Sequence, residues 1–170
     1  MDTVRQRRRV VVLGLGNTMR RDDGLGVRAL ERLVAQYELP QEVDVVVGGV
    51  RGLALLPRLA GATHALIVDA VRAGREPGAI VRLEGDDVPV PRTGALSAHD
   101  VGPVELLFFA RLQGSLPSHV VVWGMEPATV EPGSALSSEV AGRLDELVRA
   151  LAEELRRWGV EVRERDRPRR

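Results

Sequence analysis

Val10-Val11-Val12-Leu13-Gly14-Leu15-Gly16-Asn17-Thr18-Met19-Arg20-Arg21-Asp22-Asp23-Gly24 decides the fold. Val10 to Leu15 is an unbroken apolar run, the pattern of a strand buried on both faces in a parallel sheet. A loop follows, and from Val27 the apolar residues Val27, Leu30, Val34 and Tyr37 recur at helical spacing up to Pro40. Strand, glycine loop and helix in that order are the opening of an α/β domain, whose ligands bind beyond the carboxyl ends of the strands.

The rest of the chain repeats the alternation. Val43 to Val47 reads as a second strand ended by Gly48-Gly49, and Leu53 to Leu59 as a short helix interrupted at Pro57. Ala65 to Val68 reads as a third strand and Ala79 to Leu83 as a fourth. A long loop over 85–98 leads to an apolar helix, Val104 to Leu112; Val120 to Trp123 is a central strand, and 124–134 a Gly/Pro-rich loop. Val140, Leu144, Leu147, Val148, Leu151, Leu155 and Trp158 form one helical stripe, with Ser137 as N-cap. Val160 to Val162 adds an edge strand, and both Arg-rich ends are expected to fray. The expectation is one α/β domain over 1–170, with its core at about 9–163.

Composition narrows the chemistry. The 170 residues contain no cysteine, which excludes disulfides, thiolate metal sites and a cysteine nucleophile, so any metal must be held by His, Asp and Glu. The 24 basic residues are all Arg, which excludes lysine Schiff-base and P-loop chemistry, and 24 acidic residues bring the net charge to zero, against a general nucleic-acid binder. No apolar run reaches the ~20 residues that span a bilayer, and no signal-peptide pattern follows Met1. A cytoplasmic protein without membrane or nucleic-acid partners is expected.

Three places carry candidate chemistry. In the first loop Met19 stands where a dinucleotide fingerprint needs its third glycine, and Asp22 and Asp23 would repel a pyrophosphate, so a nucleotide-binding reading is disfavoured. The acidic pair either caps the helix or supplies a ligand, and physics alone does not choose between Asp22 and Asp23. Asp69 closes the third strand and points into the same crevice. His99, in Ser97-Ala98-His99-Asp100, lies at an element boundary. Ser97 and Asp100 have capping-box spacing that would put it in the first helical turn, whereas Pro103 argues for a helix starting at Asp100. His64 and His119 open strands and read as solvated or structural. Two carboxylates and an imidazole suit nickel, zinc or manganese, or acid–base chemistry.

Gly14-Leu15-Gly16-Asn17, Asp22-Asp23-Gly24-x-Gly26, Ile67-Val68-Asp69-Ala70, Ser97-Ala98-His99 and Gly124-Met125-Glu126-Pro127 occur in this order. Together they resemble the hydrogenase maturation endopeptidases, from about residue 9 to about 160. The resemblance implies a three-layer α/β/α sandwich around a mostly parallel or mixed five-stranded sheet. It implies an endopeptidase that removes the C-terminal extension of a nickel–iron hydrogenase large-subunit precursor after nickel insertion. Asp23, Asp69 and His99 would be both metal-binding and catalytic, with nickel supplied by the precursor and zinc or cadmium able to substitute. Asp22 would support them or cap the helix, and the enzyme would be a monomer. Many family members carry Asp immediately before the Gly-Gly that ends the second strand; here that position is Val47. The competing reading is a non-catalytic metal-binding or docking chaperone for the same precursor.

Overall fold

A computed structural model describes residues 8–88 and 102–166. Its centre is a five-stranded sheet in the order β3-β1-β4-β6-β5, with β1 Val10–Leu15, β3 Val43–Gly49, β4 His64–Ala70, β5 Ile80–Glu84 and β6 His119–Met125. The first four strands of that order are parallel, and β5 runs antiparallel to β6 at one edge. The expected mixed α/β sandwich is therefore what the chain forms.

Alternation along the strands feeds two cores. Val10 and Val12 of β1, with Leu66 and Val68 of β4, pack toward Leu30 and Leu33 of α1 (Leu25–Gln36) and Leu147, Leu151 and Leu155 of α5 (Leu144–Arg157). Val11 and Leu13, with Ala65 and Ile67, pack on the other face against α2 (Leu56–Leu59) and α3 (Pro103–Leu112). β1 and the Ala65–Val68 part of β4 are covered on both faces, so both runs are apolar without a break. The sheet order reverses between β1 and β4, where open α/β sheets form a crevice.

Several boundaries differ from the sequence reading. The first helix stops at Gln36, and Tyr37–Glu38 turns extended as β2 to pair antiparallel with β7, Arg163–Glu164. That pairing also replaces the expected edge strand at Val160 to Val162. Tyr37 is buried even so, while Val34, expected on the inward stripe, is partly exposed. The final helix begins at Ser137 as expected, but α4 (Ser138–Ala141) breaks at Gly142-Arg143 before α5 starts. Pro57 does not interrupt its helix: a 3-10 turn over Gly52–Leu55 runs into α2, and the proline sits in the first turn, where its missing N–H costs nothing.

Candidate active site

The crevice floor is made by the loop after β1. Gly26 lets α1 sit directly on the sheet, because a Cβ there would lie 2.1 Å from the Val68 carbonyl oxygen and 2.4 Å from that of Leu15. Gly16 takes φ +108°, which a residue with a Cβ adopts only with strain, and its N–H donates to the Gly49 carbonyl at 3.0 Å. Asn17 then shapes the turn: its Oδ1 accepts from the Met19 N–H, while its own N–H donates to Asp23 Oδ2 at 3.1 Å.

The two adjacent acids have separate roles, and neither caps α1, whose N-cap is Gly24 with no side-chain cap bond. Asp22 is fully buried. It accepts from the Ala128 and Thr129 N–H groups at 2.8 and 3.1 Å, and from the N–H and hydroxyl of Ser137 at 2.7 and 2.8 Å. Burial pushes its carboxyl up, but these donors, Ser137 foremost, outweigh burial and hold it below its ordinary range. Asp22 thus fastens the first loop to the loop after β6. Backbone pairing of Arg21 N–H with the Gly133 carbonyl and of Gly133 N–H with the Met19 carbonyl extends the seam. Arg21 takes φ +46°, a conformation this pairing enforces.

Asp23 is left half-buried on the crevice side. Asp69 lies at the end of β4, next across the sheet from β1, with Oδ1 accepting from the Ala70 N–H at 2.8 Å. A Cβ on Gly16 would fall 1.7 Å from the Asp23 carbonyl oxygen and 3.1 Å from Asp69 Oδ1, so both residues close on the space over that glycine. Asp69 is only 8% exposed. Burial pushes its pKa up to about 8 against the Ala70 hydrogen bond, and the neighbouring Asp23 and Glu105 charges push the same way. The structure thus brings Asp23 and Asp69 together, and among the described residues no group of three potential metal-ligating side chains forms.

His99 lies outside the described residues, as do Ser97 and Asp100. The adjoining geometry still corrects the helix register. Gly102 is extended and serves as N-cap, with Pro103 at the first helical position, so neither the Ser97 nor the Asp100 start holds. Glu105 completes the cap by accepting from the Gly102 N–H at 3.0 Å. A Glu three residues after Gly102 was the overlooked signal. Glu126, in Gly124-Met125-Glu126-Pro127, has a structural role that its motif does not reveal: its carboxylate accepts from the Ala73 and Arg75 N–H groups and pins the loop after β4. His64 and His119 belong to the opposite end of the sheet, where their rings stack 4.4 Å apart. Val47 sits near the end of β3, paired with Gly14 of β1, and is 37% exposed.

Comparison with known proteins agrees with this architecture. Residues 27–154 match the family model of hydrogenase maturation proteases. The hydrogenase expression/formation protein HupD of Rhodobacter capsulatus is 40% identical over 91% of this chain and 74% of its own length. The hydrogenase 2 maturation protease of Escherichia coli is 32% identical over 91% of this chain and 94% of its own. The solved hydrogenase maturating endopeptidase HybD from E. coli superposes with a TM-score of 0.83 at 32% identity, covering 92% of this chain and 98% of that one. With the acidic crevice at the sheet's switch point, these matches make the chain a member of the hydrogenase maturation protease family, and a peptidase.

Proposed function

We propose that this peptidase removes the C-terminal extension of a nickel–iron hydrogenase large-subunit precursor once nickel is in place, and that it reads that nickel through Asp23, Asp69 and His99. The observation that carries the reading is the pairing of Asp23 with the buried Asp69. The neighbouring Asp23 charge and burial both make the ionised form of Asp69 costly. A divalent cation relieves both penalties and suits hard oxygen donors. The family resemblance adds His99 as the third ligand.

In this mechanism the nickel belongs to the substrate. The precursor brings it to the crevice, and the Asp23 and Asp69 carboxylates grip it, fixing the adjacent peptide bond over the Gly16 loop. Asp22 holds that loop against the 128–137 segment, so Asp23 meets the metal without reorganising. The metal in turn supplies Lewis acidity for peptide hydrolysis. Before the precursor arrives Asp69 carries its proton at neutral pH, and the enzyme alone holds nickel weakly. Zinc and cadmium fit the same donors, and the cytoplasm is the compartment in which we place the reaction.

The test is to incubate the protein with nickel-loaded and nickel-free precursor and weigh the large subunit by mass spectrometry. Trimming of the loaded form alone is expected. Equal trimming of both, or of neither, would sink the nickel-gated reading.

A further inference from the structure

The proposed chemistry places one bond at the crevice but leaves open how the flanking chain is held. Strand β3 is an edge of the sheet, paired only with β1. The direction of its peptide groups follows from β1. The Arg9 carbonyl accepts from the Thr63 and His64 N–H groups, so Arg9 and every second residue after it face β4. Val10, Val12 and Gly14 therefore face β3, opposite Val43, Val45 and Val47. In a parallel ladder they bond the residues flanking those partners, so Val43, Val45 and Val47 turn their own peptide groups to the open side. Two contacts agree: the Val43 N–H donates to the Pro40 carbonyl, and Arg51 Nη2 donates to the Val47 carbonyl at 2.9 Å. Val45 stands between them with N–H and C=O facing outward, and no strand among the described residues flanks that side.

Natural edges are usually charged or blocked; β3 has one such charge, Asp44 paired with Arg58, but toward its carboxyl end the exposed side chains are mostly apolar. Of seven large hydrophobic side chains exposed among the described residues, Val47, Val50 and Leu53 fall within one short stretch, at 37%, 70% and 37% exposure. The opposite edge, β5, carries the exposed charges Arg82 and Glu84 and has no comparable apolar stretch. From the end of β3 the way to the crevice is short and bare. Gly49 has no side chain, a Cβ there would meet only the Gly16 carbonyl oxygen at 3.8 Å, and its own carbonyl accepts from the Gly16 N–H. A strand added beside β3 would lie roughly 14 Å from β4, a span that about four extended residues cover.

We infer that the outer edge of β3, with Val47, Val50 and Leu53, docks an extended, apolar segment of the protein substrate as an added strand, about four residues from the bond delivered to Asp23 and Asp69. This rests on the function proposed above. Recognition through the backbone gives the affinity, and the three exposed side chains select apolar residues on the incoming strand. Arg51 must release the Val47 carbonyl, so the guanidinium leaves the edge as the segment arrives.

Val45→Pro tests the inference, because it deletes an N–H that the β1 ladder does not use, at an edge position where proline is tolerated. Val50→Asp changes the apolar surface without touching the backbone. With nickel-loaded large-subunit precursor as probe, each variant should raise the half-saturating precursor concentration by roughly three- to tenfold with the limiting rate unchanged. In the wild-type chain, hydrogen exchange should show the Val45 and Val47 amides unprotected alone and protected on adding precursor. Unchanged half-saturation in both variants overturns the docking strand. So do amides already protected in the free chain, or a concentration-dependent dimer that Val45→Pro dissolves, since a second copy would then own the edge. If the wild-type chain fails to trim the precursor yet its β3 amides become protected, the docking strand stands and the proposed function falls.

Discussion

Asp69 and Asp22 are both buried aspartates near the first loop, and their surroundings push them in opposite directions. Asp69 has one backbone donor and two carboxylate neighbours, and its pKa rises to about 8. Between about pH 4 and 8 the folded chain then keeps a proton that the unfolded chain has released. Its contribution to stability is full below about pH 4 and is lost as pH rises through 8. Asp69→Asn should therefore gain stability over the wild type from pH 5 to pH 9, by on the order of 3 kcal/mol. Urea unfolding across that range measures it, and a difference that stays flat with pH would refute the assignment. Asp22 has four donors and a lowered pKa. Its contribution is present above the ordinary carboxylate range, about pH 4, and is lost as pH falls through the lowered value. Asp22→Ala leaves the Ala128, Thr129 and Ser137 N–H groups of the loop after β6 unpaired and should cost about 3–5 kcal/mol near neutral pH. A loss under 1 kcal/mol in the same unfolding experiment would mean that water replaces the carboxylate.

At the scale of elements, α1 depends on a residue that helix propensity disfavours. Alanine is favoured over glycine by about 1 kcal/mol in a helix interior. At Gly26, though, the added Cβ would run into two carbonyl oxygens of β1 and β4, which are backbone and cannot swing away. Gly26→Ala should destabilise by about 3 kcal/mol and displace the Asp23 loop, lowering precursor trimming as well. A melting temperature equal to the wild type would show that the helix can lift off at little cost. The elements legible in the sequence are those whose pattern is set by burial on both faces, such as β1 and β4, or by one strong stripe, such as α5. Tyr37 and Glu38 were misread because their pairing with Arg163 and Glu164 is a contact between distant segments, invisible to a local window. The break at Gly142-Arg143 escaped because the stripe continues through it. At the site, strand-end position and the family motif placed Asp69 at the crevice, where the structure has it. Spacing did not separate Asp22 from Asp23; the resemblance named Asp23, and the burial of Asp22 arises because Ser137 and Ala128 fold back onto the first loop, which no spacing rule encodes.

For the whole molecule, the parallel strands separate two ends with different work. The groups proposed to act on the precursor, Asp23, Asp69 and the outer edge of β3, lie toward the carboxyl ends. The amino ends carry the His64–His119 stack, with ring centroids 4.4 Å apart and planes nearly parallel at 6°, and Trp158 5.0 Å from His64. His64 and Asp69 are on one strand, five residues apart, which is about 17 Å of extended chain. At that distance in a close-packed sheet the stack can affect the site only by shifting the strands themselves. Thr63 Oγ1 lies 2.9 Å from His64 Nδ1, so the pair is anchored locally, to the start of β4. His119→Ala should therefore lower stability by about 1 kcal/mol through lost stacking and leave precursor trimming within about twofold of the wild type. The comparison must be made well below the melting temperature, so that both chains are fully folded. A tenfold loss of trimming under those conditions would show that the amino ends reach the active site, and the division of labour along the sheet would have to be abandoned.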